Sequence, residues 1–402
     1  MPEALIQLVS EQTLPNVFPA LALAPERIVL LHTPQTRPHC EWITRALTLA
    51  GQPSAPLCFE LPDNPDHHHT GRAVLDQINT ARTAGLEPVI NITGGTKLMS
   101  IGAFAAAHQQ KAAAFYLDTA HRQVLAATAV PLPSPLDSSP AAFRRVADKL
   151  SVAVITAAHG ITALDLGCDP SGWLPAARLL ARDSALERAV HDFACHNLDE
   201  GRRQPADYVR LLQTPLDDLP DPLIEPFVTA DLITLRDGRW HLSHPNPTEL
   251  ERWASGERYE SIQAYFTATA PLQQFIGFLQ GGWWELAVLD AAAASGRFRD
   301  LQWSVQASRV GSSSLIEEDI LAVEDLNLAV FSCKRGGDRS RLLRAFEELD
   351  SAARSLGGSF AQRYLAVALP IPAQVFTEVR ARAAAARTTL VGPVDRLANF
   401  FR

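Results

Sequence analysis

Short apolar runs and helical periodicities alternate along the first 130 residues. Ala4–Val9, Arg27–His32, Ala55–Leu61 and Pro88–Thr93 read as strands, and the second is a continuous apolar run. Pro15–Ala24, Cys40–Ala50, Arg72–Ala84 and Lys97–Gln110 carry helical spacing between and after them. Ala112–Leu117 and Arg122–Ala127 form two further strands, joined tightly through Asp118–His121. This β-α-β-α alternation, with strands that are apolar throughout, predicts an α/β fold with a mainly parallel sheet covered on both faces.

Val130–Pro140 then breaks the pattern with four prolines and three serines and reads as a linker. Beyond it, Ala185–Leu198 is predicted helical. Asp231–Ser243 places Asp237–Gly238 between two alternating runs, a hairpin signal. A helix followed by a hairpin resembles a winged-helix element; a plain connecting subdomain is the other reading. From Pro271 the pattern tightens. Leu272–Gly281 and Trp283–Ala293 read as helices, and Leu301–Ser308 as a strand. Asp319–Val323 and Leu328–Cys333 read as a hairpin, followed by helix Ser340–Leu356, strand Arg363–Ala368 and helix Ala373–Ala385. Three segments result: residues 1–130, a connector over 131–265, and 266–402.

Composition excludes some classes. Apolar residues make up 47% and charged residues 20%, ordinary globular usage rather than disorder. Thirty-six Lys and Arg against 44 Asp and Glu give a net charge of −8, so contact with nucleic acid requires a local basic patch. No apolar run approaches the ~18 residues that span a bilayer. Five cysteines without a CxxC pair read as reduced thiols in a cytoplasmic protein.

Candidate chemistry starts at Asn91–Ile92–Thr93–Gly94–Gly95–Thr96–Lys97, where a buried strand gives way to a helix. Ligands bind there in open α/β sheets. Paired glycines admit a ligand to the backbone, the helix amides face an anion, and Lys97 adds a charge. The GxxxxGK[ST] spacing of ATP-hydrolysing loops is absent. Two other strand ends, Ser10–Asn16 and His32–Thr36, open onto the same rim.

Ser10-x-Gln12-x-x-Pro15-Asn16, His32–Thr33–Pro34 and Asn91-x-Thr93–Gly94–Gly95–Thr96–Lys97-x-Met99 together resemble the CARF domain, the CRISPR-associated Rossmann fold that senses cyclic oligoadenylates. The resemblance implies a homodimer holding one such ring across its two-fold axis, through Gln12, Asn16, Thr33, Thr93, Gly94, Gly95, Thr96 and Lys97. A ring of repeated adenylates is symmetric, which an isologous dimer matches.

Further along, Glu285 lies in a predicted helix, Asp319 opens a strand and Lys334 ends the next. This order resembles the PD-(D/E)xK nuclease core of restriction-endonuclease-like domains. The resemblance implies that Glu285, Asp319 and the carbonyl of Cys333 hold Mg²⁺ or Mn²⁺, with Glu317 as a further contact. Both are hard ions that prefer oxygen. Lys334 would orient or deprotonate the attacking water. One position departs from the motif: Ser332 stands where an acidic residue is usual, and a neutral hydroxyl is a weaker ligand. Arg335, Arg339, Arg341 and Arg344 follow as a local basic patch for phosphate contact or as a solvated helix start.

The whole order resembles the CRISPR ancillary nuclease with one CARF and one PD-(D/E)xK domain. It implies activation by cyclic tetra-adenylate and metal-dependent cleavage of single-stranded DNA or RNA, or nicking of duplex DNA. The alternative is a CARF regulator whose degenerate nuclease core binds nucleic acid or a partner without cutting. Three features are left aside. Asp66–His67–His68–His69 reads as a solvated loop, Trp283–Trp284 as packing, and His159 and His196 lack matched partners.

Overall fold

The apolar runs of the N-terminal third pair as one sheet in a computed structural model of the chain, which describes residues 2–119, 121–167, 169–197, 205–244, 246–258, 261–309, 314–392, 397 and 401. Its strands are β1 (Glu3–Leu8), β2 (Arg27–His32), β3 (Leu57–Glu60), β4 (Glu87–Asn91), β5 (Ala113–Asp118) and β6 (Gln123–Ala126). The helices between them are α1 (Leu14–Leu23), α2 (Arg37–Leu49), α3 (His67–Thr83) and α4 (Lys97–Gln109). The sheet order is β3-β2-β1-β4-β5-β6. All pairs are parallel except β5–β6.

β1 is therefore central, with Leu8 opposite Leu31 of β2 and Gln7 opposite Asn91 of β4. Ile6, Leu8, Ile90, Ala112 and Ala114 are buried with Val74 and Ile78 of α3 and Met99 and Ala103 of α4. The two helices touch where small residues allow it: a Cβ on Gly102 would meet the His67 carbonyl oxygen at 2.2 Å.

α3 begins five residues ahead of the predicted Arg72. Asp66 caps it by accepting the His69 amide at 2.8 Å, and its carboxylate meets His69 Nδ1 at 2.7 Å. The histidine tract is thus a helix's first turn rather than a loop. The tie also lowers the Asp66 pKa, chiefly through the His69 amide.

After the proline-rich stretch come α5 (Ser139–Ala147), α6 (Val152–Ala158), β7 (Ala163–Asp165), α7 (Leu174–Leu180), α8 (Ser184–Asn197), α9 (Pro205–Gln213) and α10 (Ile224–Thr229). The hairpin β8 (Ile233–Arg236) and β9 (Arg239–Leu242) turns through Asp237 and Gly238, both at positive φ as its tight turn requires. Then follow α11 (Pro247–Ala254), α12 (Ile262–Gly277), α13 (Trp283–Ala294), β10 (Phe298–Ser308), β11 (Ile316–Glu324), β12 (Asn327–Lys334), α14 (Arg339–Gly357), β13 (Gln362–Val367), α15 (Ala373–Ala385) and β14 (Thr388–Val391). A second six-stranded sheet has the order β14-β13-β12-β11-β10-β7.

The chain forms two compact units. The first comprises Met1–Leu166, Arg297–Val330 and Glu347–Arg363; the second comprises Gly167–Gly296, Phe331–Phe346 and Tyr364–Arg402. Within the second, Trp173, Phe227, Phe275 and Phe278 form an aromatic core, with Trp173 and Phe278 ring centroids 4.9 Å apart. No helix among the described residues is long and apolar enough to cross a membrane.

Candidate functional site

β1 is flanked by β2 on one side and β4 on the other, so the chain winds away from it in opposite directions. The carboxyl ends of β1 and β4 thus bound the crevice where ligands settle in such sheets. Two buried amides tie these ends together. Asn91, fully buried, donates from Nδ2 to Gln7 Oε1 and to the Pro15 carbonyl, both at 2.9 Å. Gln7 in turn donates to the Asn16 carbonyl at 3.1 Å. Asn91 Oδ1 accepts from the Thr93 amide at 3.0 Å and from its hydroxyl at 2.6 Å. Thr93 Oγ1 also accepts the Leu117 amide at 2.7 Å, which joins the end of β5.

Asn16 and Thr93 therefore serve this clamp. Asn16 is wholly buried and donates to the Leu8 carbonyl at 2.9 Å. Gln7 was not among the residues singled out from the sequence. Its signal there is a lone amide inside the apolar run Ala4–Val9. Gly94 seats the loop against β1: a Cβ there would lie 2.1 Å from the Leu8 carbonyl oxygen, which only glycine avoids. Gly95 adopts φ +75°, the left-handed region.

Thr96 caps α4, accepting the Met99 amide at 3.3 Å, and Thr96 and Lys97 are exposed at the amino end of this helix. The positive end of the helix dipole and the Lys97 ammonium favour an anion there. Thr33 lies half-buried at the end of β2, its amide donating to Thr36 Oγ1 at 3.0 Å. Gln12 is exposed on the β1–α1 loop and lines a cavity that none of Thr33 or Thr93–Lys97 lines.

The C-terminal candidates sit on three elements. A wide turn at Phe278–Gly282 separates α12 from α13, and Gly281 takes φ +156°, open to glycine alone. Glu285 falls half-buried in the first turn of α13, where the dipole favours an acid. Asp319 is half-buried on β11. Lys334 is half-buried at the end of β12, behind buried Ser332 and Cys333. Trp283 and Trp284 are packing residues, as expected: both are buried, and Trp284 Nε1 donates to the Ala366 carbonyl at 3.0 Å.

The basic patch is half committed. Arg335 pairs with buried Glu187 at 2.5 Å, and Arg339 makes a two-point pair with Glu378 at 2.5 Å. The Arg339 guanidinium holds the Glu378 carboxyl below its ordinary pKa. Arg341 and Arg344 are exposed on the first turns of α14.

Among the described residues no three His, Cys, Asp or Glu side chains gather as a metal cage.

Residues 4–131 match the family model of the Card1 CARF domain, so the N-terminal Rossmann-like domain is a CARF domain. The chain has the fold of Can2 from Sulfobacillus thermosulfidooxidans, solved in complex with cyclic tetra-adenylate. The TM-score is 0.66 at 19% identity, over 99% of this chain and 97% of that one. It is similar to VC1899 from Vibrio cholerae, with a TM-score of 0.69 at 16% identity over 99% of this chain and 95% of that one. A type III CRISPR defence DNA nuclease activated by cyclic oligoadenylate matches over 93% of this chain and 47% of its own, with a TM-score of 0.51 at 16% identity. No curated protein matches the sequence. At these identities the structural likeness is one of fold.

Proposed function

We propose that the chain is a type III CRISPR ancillary nuclease gated by a cyclic oligoadenylate, cyclic tetra-adenylate in the first instance. The observation that carries this reading is the clamped glycine–threonine rim between β1 and β4, in a domain that matches the Card1 CARF model. The whole-chain likeness to a protein solved with cyclic tetra-adenylate supports the choice of ring.

In this reading Gln12, Thr33, Gly94, Gly95, Thr96 and Lys97 face the ring, and Asn16 and Thr93 hold the loops that do so. A second copy of the chain completes the site about a two-fold axis. Binding favours one arrangement of the molecule only by as much as the ring prefers it.

Glu285, Asp319 and the Cys333 carbonyl are assigned to hold Mg²⁺ or Mn²⁺, and Lys334 to hold or remove a proton of the attacking water. A bound divalent ion would polarise the scissile phosphate and lower the pKa of its water. Arg341 and Arg344, exposed on α14, would meet the phosphate backbone of single-stranded DNA or RNA, or of a nicked duplex.

Incubating the purified chain with cyclic tetra-adenylate, Mn²⁺ and end-labelled single strands tests this directly. Cleavage that needs both ring and metal, and that Lys334→Ala abolishes, is expected. Intact DNA and RNA under those conditions would refute the enzyme, and undiminished cutting by Lys334→Ala would refute the site. A second reading has its own support in Ser332, buried and neutral where an acid is usual. It is a ring-binding regulator that engages nucleic acid or a partner without cutting. Ring binding with no cleavage is its signature.

A further inference from the structure

The first unit holds a cavity of about 340 Å³ that shares Gln12 with the proposed ring site and is otherwise walled by residues that reading leaves unused. It lies near the lower end of the ~300–1,000 Å³ typical of small-molecule sites, so it suits one compact ligand rather than a ring of four nucleotides. Among the described residues three guanidinium groups line it, from Arg122, Arg309 and Arg354, against the one carboxylate of Glu11. Arg122 pairs with Asp325 at 3.0 Å, both exposed, where such pairs are weak, and exposed Arg354 shares half-buried Asp350 with Arg363. Arg309 differs. Its Nη2 donates to the Ser355 carbonyl at 2.8 Å, but its Nε is buried with no hydrogen-bond acceptor among the described residues. A buried, charged donor left unmatched is costly, and an anion in the cavity would supply the missing acceptor.

Other walls are suited to an aromatic body. Trp42 and Phe360 line the cavity. Trp42 is held edge-on by His39, with ring centroids 4.5 Å apart, and backs onto Gly160, whose Cβ would strike its indole at 2.6 Å. His159 adds a polar contact. Its Nδ1 lies 2.9 Å from the Ile155 carbonyl and so carries the proton, which leaves Nε2 an acceptor. Burial and the nearby Arg309 charge lower its pKa and keep the ring neutral. Gly358, at φ +73°, lies against that ring; a Cβ there would sit 2.5 Å from Nε2. The cavity thus offers guanidinium donors, aromatic walls and one imidazole acceptor.

We propose that this cavity is a binding site for a single nucleoside monophosphate, distinct from Thr33 and the Thr93–Lys97 loop of the ring-binding rim. The phosphate meets Arg309 with Arg122 and Arg354, the base lies along Trp42 and Phe360, and an amino or hydroxyl group of the nucleoside donates to His159. The inference does not depend on the nuclease reading.

The test is isothermal titration calorimetry of the full-length chain with adenosine 5′-monophosphate, without ring or metal. Saturable binding of one molecule per chain is expected. Arg309→Gln should weaken it roughly ten- to hundred-fold, the range for a lost charge-assisted hydrogen bond, and Trp42→Ala several-fold. Lys97→Ala, on the rim, should leave it unchanged, and inorganic phosphate should bind at least ten-fold more weakly. Circular dichroism checks each variant. Arg354→Gln, on an exposed helix turn, carries the same expectation if Arg309→Gln does not fold. Absence of saturable binding, or equal affinity in the arginine variants, would overturn the proposal. So would loss on Lys97→Ala alone, which puts the nucleotide on the rim. Phosphate binding as tightly as the nucleotide would mean a bare anion site and would overturn it too.

Discussion

Replacing Asn91 by alanine removes four hydrogen bonds at the junction of β1, β4 and β5. The Gln7 Oε1 and Pro15 carbonyl lose their donor, and the Thr93 amide and hydroxyl lose their acceptor. The Thr93 hydroxyl keeps its bond from the Leu117 amide, so three groups are left unmatched. Gln7 and Asn91 are both fully buried, and an unmatched buried neutral group costs about 1–3 kcal/mol. Three such groups put the expected loss at about 3–9 kcal/mol, a large share of the ~5–15 kcal/mol that holds a domain folded. Because the chain has two units, a single global unfolding curve would blur the effect. Hydrogen–deuterium exchange resolved to the Thr93 and Leu117 amides is the sharper assay. Local destabilisation of that size accelerates exchange by roughly a hundred-fold or more. Gln7→Ala and the double variant complete a cycle, and a coupling of about 0.5–3 kcal/mol is expected between residues in one network. Exchange at both amides within a few-fold of wild type, or strict additivity in the cycle, would refute the clamp.

Gly94→Ala should abolish ring binding in a filter assay, since its Cβ would lie 2.1 Å from the Leu8 carbonyl oxygen and must push the loop off β1; unchanged affinity would show that the rim tolerates that shift. Arg335→Ala should destabilise the second unit by about 3–5 kcal/mol in urea melts, because Glu187 is only 5% exposed and would be left buried and unpaired. Restoring the loss with Glu187→Leu in the same chain is the companion expectation. Cys40 shares its thiol proton with Cys58, and this lowers the Cys58 pKa to about 7 while the Cys40 pKa is raised. Alkylation of the exposed Cys58 should therefore rise with pH through about 7, one to two units before an ordinary thiol, and Cys40→Ala should move that midpoint upward.

The alternation of apolar runs and helical spacing was enough, read along the chain, to determine the N-terminal sheet. β2 is predicted over its observed residues, because a run of four apolar side chains between polar ends has one way to be buried in a parallel sheet. The Asp237–Gly238 hairpin was equally legible, since that pair is chosen for its positive φ. The glycine–threonine rim followed from the same local rules, because a strand end, two glycines and a capping threonine are neighbours in sequence.

What tertiary structure alone decided is who those residues touch. Asn16 and Thr93 look like ligand contacts in the sequence, yet folding turns them inward to a clamp completed by Gln7 and Asn91, 84 positions apart. Half of the arginine patch is bound to Glu187 and Glu378, the first of them 148 positions from its partner Arg335. His159 has no partner in the linear order but lines one cavity with Trp42 and Arg309. The physical reason is common to all three. Periodicity and turn chemistry act over a few bonds and are written in the local sequence. Hydrogen bonds, ion pairs and cavity walls join residues that only the closed fold brings within reach.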